Sequence, residues 1–452
     1  MNRITEEDGM STGEHVVVVG LGFGDEGKGA VVDALCGDGS VTSVVRFNGG
    51  AQAAHNVVVG GRHHTFSQFG SGTLSGTPTL LSRHVLVEPI ALATEARELA
   101  ALGVADPLGL VSVDGNALLT TPIHVAANRA REDARGRDRH GSCGKGIGET
   151  TWYSLVARRR PPVGSVFEGQ SVSGVPGSPP TVGDCAHPAR LRRRLDDLAR
   201  FYAPLLAGSD HGFPPVDDLV GLYRDFAGAV RTVSGDEVAR RAERGRLVFE
   251  GAQGVLLDQW RGFHPHTTWS TVTPDNARAL LASTGGRAHV LGVTRTYQTR
   301  HGAGPLPTED PGVARRCVEP HNGTGRYQGG WRAGHLDAVL LRYAVAACGG
   351  IDSLAVTHLD RAATGLSAAI AYRTGSGADI AELPWHPDAR LSHQRELTAL
   401  LRRCVPRLTR LPEQPDAVVA WFERLLDVPV VVTGTGADRS AYRVRTPVSV
   451  RG

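Results

Sequence analysis

The decapeptide Gly20-Leu21-Gly22-Phe23-Gly24-Asp25-Glu26-Gly27-Lys28-Gly29, directly after the apolar run Val16 to Val19, constrains this chain more than any other feature. An apolar run, a glycine-rich turn and then small residues read as strand, loop and helix. Glycines admit positive φ and close approach of the backbone to an anion. A helix beginning near Glu26 would turn its free N–H groups and positive dipole end toward that anion. Lys28 adds a mobile positive charge. Asp25 is out of place in a passive phosphate cradle, because a carboxylate there repels the ligand unless it binds a metal ion or takes a proton from the substrate.

Two familiar glycine loops fit poorly. Gly22, Gly24 and Gly27 satisfy GxGxxG, but a dinucleotide fold also wants an acid at the end of its second strand, and Val41 to Phe47 offers Arg46. A Walker A loop needs Ser or Thr after its lysine, whereas Gly29 and Ala30 follow Lys28. The loop therefore reads as a variant of the P-loop kind.

At 452 residues the chain exceeds the size of one ordinary compact core, so a large α/β unit with insertions is expected. Basic and acidic residues number 49 and 46, a formal net charge of +3, which argues against a nucleic-acid partner; the clusters Arg158 to Arg160 and Arg192 to Arg194 read as solvated helix faces. The six cysteines lack CxxC spacing, which excludes a zinc knuckle and suits a reducing cytoplasm. No apolar run is long enough for a membrane span, and residues 1–14 read as a disordered tail.

From residue 15 to 135, β-branched runs alternate with helical stretches. Val16 to Val19, Val44 to Phe47, Leu80 to Leu86 and Leu110 to Val113 read as strands, and Gly27 to Leu35 and Ile90 to Leu102 as helices. This alternation predicts a large, mainly parallel central sheet flanked by helices. Residues 161–188 are rich in Pro, Gly and Ser and read as an irregular excursion. Helical periodicity follows over Arg190 to Leu206, Pro215 to Val230 and Asp236 to Arg244, so residues 160–245 are expected as a helical and irregular insertion in one domain spanning 15–452. Strands return at Leu247 to Glu250, His289 to Thr294, Ile351 to Thr357 and Val428 to Thr433. The first and last strands of the chain, Val16 to Val19 and Val428 to Thr433, run into glycine-rich turns, Gly20 to Gly29 and Gly434-Thr435-Gly436, which are expected to meet over one ligand at the carboxyl edge of the sheet.

Four further strings carry chemistry. Arg46-Phe47-Asn48-Gly49-Gly50-Ala51-Gln52-Ala53-Ala54-His55 ends a strand in small residues and a histidine, which with Asp25 makes a candidate proton-handling pair. Phe249-Glu250-Gly251-Ala252-Gln253-Gly254, followed by His264 to Thr268, offers an amide and hydroxyls for a base or ribose. Thr299-Arg300-His301-Gly302-Ala303-Gly304-Pro305-Leu306-Pro307-Thr308-Glu309 is a stiff loop of small residues. In Thr357-His358-Leu359-Asp360 an acid just past a strand suits the N1 and N2 donors of guanine.

Together these strings resemble the adenylosuccinate synthetase family, which uses GTP to join aspartate to C6 of inosine monophosphate (IMP). The resemblance implies Asp25 as the base that takes the N1 proton and, with the Ala54 carbonyl, as a ligand of Mg²⁺. It implies His55 as donor to O6 as that oxygen attacks the γ-phosphate, and Lys28 as a charge stabiliser. GTP would be held by Gly24, Glu26, Gly27, Lys28 and Gly29 at its phosphates, and by His358, Leu359, Asp360, Gly434, Thr435 and Gly436 at guanine. Gln52, Ala53, Ala54, Ser142, Cys143, Gln253 and Thr268, with Asp25, would hold the nucleotide. The family is a homodimer, and Arg158 is the candidate arginine that reaches the partner's nucleotide phosphate.

The chain departs from the family pattern at several of these positions. NAGH is replaced by Gln52-Ala53-Ala54-His55, Thr-Thr before Gly-Arg-Gly by Ser142-Cys143 before Gly144-Lys145-Gly146, and KLD by His358-Leu359-Asp360. The TTGRRRR loop that clamps aspartate runs here from Thr324 to Arg332, leaving Thr324, Gly325, Arg326 and Arg332 as the candidate clamp. Substrate identity is the point these changes leave open: IMP, a guanylate or deoxyguanylate, or a purine analogue. A GTP-binding homologue without catalysis is the alternative from another class.

Overall fold

The computed structural model describes residues 14–136, 139, 141–158, 176–319, 322–386 and 390–445. The expected tail up to residue 13, and most of the Pro/Gly/Ser-rich excursion, lie outside the described residues.

The apolar runs assemble one ten-stranded sheet. In chain order its strands are β1 Glu14–Gly20, β2 Val41–Arg46, β3 Thr79–Leu81, β4 Val111–Asp114, β5 Arg231–Val233, β6 Arg246–Gly254, β7 Arg287–Arg295, β8 Ser353–Thr357, β9 Val430–Gly434 and β10 Tyr442–Val444. They lie in the order β10-β9-β8-β7-β1-β6-β2-β3-β4-β5. Every neighbouring pair is parallel except β9 with β10 at one edge.

A strand buried on both faces reads as an unbroken apolar run, which is why Val16 to Val19 carries no polar alternation. Val16 and Val18 pack with Val31, Val32 and Leu35 of the helix Lys28–Cys36 on one face. Val17 and Val19 pack with Phe249, Val290 and Leu340 on the other. All four are at most 2% exposed, and each contributes on the order of 1.5–3 kcal/mol of transfer free energy.

Three expectations shift. The strand expected over Leu80 to Leu86 is broken: β3 ends at Leu81, a turn with Val85 N donating to Ser82 O follows, and Leu86–Val87 pairs elsewhere. The polar Arg83 and His84 have no place inside a buried parallel strand. The first helix starts at Lys28, because Gly27 at φ 92° cannot begin it. The insertion expected beside the sheet also builds part of it: its helices Pro188–Leu206 and Val216–Ala229 share a core with the helices Pro122–Arg135 and Ile147–Ala157, while β5 extends the sheet beyond β4.

A second sheet contains Tyr297–His301, Trp331–Asp337 and Ser367–Arg373. Its first strand continues β7 after Thr296. Because β1 lies between β6 and β7, with β2 on one side and β8 and β9 on the other, the loops at the carboxyl ends of these strands converge on one crevice, where open parallel sheets bind ligands.

Candidate active site

The motifs Gly20–Gly29, Arg46–His55, Phe249–Gly254 and Thr357–Asp360 sit at or just beyond the carboxyl ends of β1, β2, β6 and β8. After β1, Asp25 adopts φ 61°, a conformation costly for a residue with a side chain; Gln253 at the end of β6 (φ 59°) and His358 after β8 (φ 56°) do the same. Such strain persists where the surroundings enforce it, and here it marks three loops of one crevice.

The phosphate loop is tightly built. Glu26 turns inward, accepting from the N–H groups of Gly22 at 3.0 Å and Gly24 at 2.8 Å, while its other oxygen meets Lys28 Nζ at 2.6 Å. Glu26 is therefore an internal strut of the loop and forms no part of the crevice wall, whereas Asp25, Gly27, Lys28 and Gly29 do. Gly27 lies against Thr357, whose hydroxyl donates to Glu26 O at 2.7 Å. Gly29 explains the missing Walker hydroxyl residue: a Cβ there would fall 2.7 Å from Cβ of His55.

Asp25 stands between two cavities. It lines the one that contains the phosphate loop, and its Oδ2 is 3.2 Å from Nε2 of His301, which lines the neighbouring one. Burial pushes the Asp25 carboxyl up, but the His301 hydrogen bond and the charges of His301, Arg295 and Lys28 outweigh it and hold the group below the usual carboxylate range. The residue is a carboxylate at neutral pH.

His55 is braced from behind. Its Nδ1 lies 2.6 Å from Glu250 Oε1, and Glu250 also accepts from Ser71 N at 2.9 Å and Ser71 Oγ at 2.5 Å. Burial opposes ionisation of Glu250, yet Arg46, His55 and Ser71 bring its pKa down to about 2. The carboxylate fixes Nδ1 as the protonated nitrogen, and Nε2 is buried with no hydrogen-bond partner among the described residues. Burial lowers the ring's affinity for a second proton against the pull of Glu250, with Arg46 and Lys28 adding to the lowering. Glu250 and Ser71 carry no role in the sequence reading. The signal for Glu250 was an acid inside an apolar strand, where a lone charge is untenable without a partner.

Gln52, Ser142, Cys143, Gln253 and Thr268 come together in the second cavity, from four separate stretches of chain. Both polar atoms of the Gln52 amide and the Gln253 Oε1 are buried without hydrogen-bond partners among the described residues, the mark of a polar ligand's place. Ser142 Oγ receives Asn128 Nδ2 at 2.9 Å. Ala53 is buried, while Ala54 lines the phosphate cavity beside His55. Arg158 is exposed at the end of the helix Ile147–Ala157 and lines neither cavity.

The phosphate cavity is also lined by His358, Asp360 and Gly436. Burial and the charges of Arg295 and Arg361 keep His358 neutral, with Nδ1 2.8 Å from Thr357 Oγ1. Asp360 is paired with Arg361 at 3.1 Å. Leu359 is buried, Gly434 packs under Tyr442, and Thr435 bonds to Ala441 O, so these three shape the turn from behind.

The candidate aspartate clamp is divided. Arg332 donates to Gly302 O at 2.9 Å, to Gly304 O at 3.0 Å and to Glu309 through Nε at 3.0 Å, with Nη2 also on Glu309. Its guanidinium is spent on bracing the 302–309 loop. Thr324, Gly325 and Arg326 lie in an exposed turn, and Arg326 is 3.6 Å from Asp133.

Magnesium fits what is present. No cluster of three acidic, His or Cys ligands occurs among the described residues, but Mg²⁺ is commonly held by one or two carboxylates, with substrate phosphates and water completing its shell. Asp25 and Ala54 both line the cavity that contains the phosphate loop, where a carboxylate and a backbone carbonyl are the hard oxygens such an ion takes.

The adenylosuccinate synthetase family model matches residues 17–443. The adenylosuccinate synthetase of Neisseria gonorrhoeae (strain NCCP11945) is 31% identical over 458 residues, covering 95% of this chain and 98% of that protein. Adenylosuccinate synthetase 1 of Cupriavidus pinatubonensis is 32% identical over 464 residues, covering 95% and 96%. Among solved structures, the fully ligated adenylosuccinate synthetase of Plasmodium falciparum superposes with TM-score 0.76 at 19% identity, over 96% of this chain and 100% of that one. The succinoaminodeoxyadenylate synthetase of cyanophage S-2L, bound to dGMP and dATP as an energy donor, superposes with TM-score 0.51 at 16% identity, over 96% of both chains. These two show likeness of fold. With a family model spanning nearly the whole sequence and relatives above 30% identity along their full length, the chain belongs to the adenylosuccinate synthetase family of ligases.

Proposed function

We propose that this protein condenses L-aspartate with C6 of IMP at the expense of GTP, giving adenylosuccinate, GDP and phosphate. The observation that carries the reading is the position of Asp25, a carboxylate on the wall of the phosphate cavity that also touches His301 of the nucleotide cavity. A base there can take the N1 proton of a purine while O6 faces the γ-phosphate.

In this reading Gln52, Ser142, Cys143, Gln253 and Thr268 hold the nucleotide. Gly24, Gly27, Lys28 and Gly29 receive the GTP phosphates, and His358, Asp360 and Gly436 the guanine. Asp25 and Ala54 would hold Mg²⁺, which when bound screens the phosphate charge. Asp25 removes the N1 proton, O6 attacks the γ-phosphorus and displaces GDP, and Lys28 stabilises the charge that develops. His55 Nε2 faces O6. The arriving phosphate anions offset Lys28 and Arg46 and raise the ring's proton affinity, so that it donates to the oxygen. The 6-phosphoryl group then leaves as the aspartate amine adds at C6. Arg326, exposed beside Asp133, would meet the amino acid, and Arg158 would act across a homodimer.

The test is release of GDP and phosphate from GTP, Mg²⁺ and aspartate with IMP, GMP or dGMP, with mass detection of the product. Adenylosuccinate from IMP is expected. A succinylated product from a guanylate alone would reassign the substrate, and GTP binding without turnover would make the protein a non-catalytic homologue.

A further inference from the structure

Strand alternation aims one row of side chains at the phosphate loop. Arg295 Nη1 donates to Asp25 O at 2.7 Å, Thr299 Oγ1 to Gly24 O at 3.3 Å, and His301 Nε2 lies 3.2 Å from Asp25 Oδ2. Two of these contacts hold the backbone of the loop and the third holds its reactive carboxylate. Asn322 Nδ2 reaches the same oxygen at 3.4 Å and is itself tied to Glu319 Oε2 at 2.7 Å. His301 is fixed by the ribbon it belongs to, paired with Trp331, and the following Gly302 N donates to Gly330 O at 2.9 Å. The imidazole also forms part of the nucleotide cavity's wall, with Gln52 and Gln253.

We propose that His301 is a positioning residue for Asp25: its Nε2–H holds Oδ2, so that Oδ1 is presented to the N–H of the purine, and a nucleotide packed against the same ring locks that orientation. The role needs only the Nε2 hydrogen, which the cation and one neutral tautomer both carry. It rests on the ligase reading above. It makes the loop Thr299 to Gly304 part of the catalytic apparatus through its effect on another residue's carboxylate.

The variants His301→Leu, His301→Gln and His301→Asn test it in the full-length protein, with kcat and KM for each substrate and calorimetric Kd for IMP alone. Loss of the donor in the Leu variant should lower kcat about 100-fold, the scale of a misplaced catalytic group, with KM for GTP within about threefold and any loss of IMP affinity well below the loss in kcat. Glutamine, whose amide reaches about as far as Nε2, should recover at least about tenfold of that loss, and the shorter asparagine should not. This Gln–Asn contrast stands even where the Leu variant fails to fold. Unimpaired turnover in the Leu variant would overturn the proposal, as would equal loss in Gln and Asn accompanied by a matching loss of IMP affinity, the mark of a cavity wall alone. A wild-type protein without ligase activity would overturn the ligase reading and this inference with it, whereas an active wild type and an unimpaired Leu variant would overturn the inference alone.

Discussion

At the scale of single residues the site is a set of charges made tolerable by their neighbours. Asp25→Asn keeps a side chain that accepts positive φ, so the loop should hold and GTP should bind within a few-fold of wild type. Turnover should fall at least about 1,000-fold, because the amide cannot take the N1 proton. Phosphate-release assays alongside nucleotide titration check both halves. Glu250→Gln should be costly in two ways: one of the two oxygens that accept from His55 and Ser71 becomes a donor, so the His55 tautomer is no longer fixed by a carboxylate, and the buried Arg46 loses the charge that offsets its own. A kcat at least about tenfold lower, together with roughly 3 kcal/mol of lost stability in urea melts, is expected for a buried pair broken on one side. Asp25, Lys28 and His55 were legible as chemistry because they interrupt small-residue strings. Glu250 and Ser71 were not, because their importance arises across separations of 195 and 179 residues in the fold.

At the scale of elements, the helix Lys28–Cys36 begins against the ribbon His55–Val59, and the two touch where Gly29 has no side chain. Gly29→Ser would restore the Walker lettering and should still damage the enzyme. Its Cβ meets His55, so kcat should drop by about tenfold or more without loss of the fold, as steady-state kinetics and circular dichroism would show. The two candidate clamp arginines should separate by phenotype. Arg326→Leu should raise KM for aspartate about tenfold, and Arg332→Leu should chiefly lower the melting temperature by unbracing the 302–309 loop. Steady-state kinetics and thermal melts distinguish them. The buried strands were readable from their apolar runs. The broken strand after Leu81 and the sheet-building role of Arg231–Val233 were not, since both depend on what each segment pairs with.

At the scale of the whole molecule, the second sheet and the helix Ala338–Ala347 enclose a carboxyl group that answers to pH. Asp337 caps that helix by accepting from Leu340 N at 3.0 Å and accepts from Tyr372 Oη at 2.6 Å. Burial raises its pKa to about 6 from an ordinary 3.8. The folded state thus holds this proton more tightly than the unfolded chain does, so the stabilisation is complete below about pH 4 and is lost as pH rises through 6. The loss is roughly 3 kcal/mol for a shift of about two units. Asp337→Asn should lack this slope, so the variant should gain on wild type by about that amount between pH 4 and 7 in paired urea titrations. The order of residues alone determined the parallel sheet, the phosphate loop and the chemical types gathered around it, because apolar runs, glycine turns and charged interruptions are local properties of a chain. Only the tertiary structure decided which of those charges face a ligand. It turned Glu26 inward, spent Arg332 on a loop, and set Glu250 behind His55 and His301 against Asp25, because the energy of a buried charge depends on its neighbours in space.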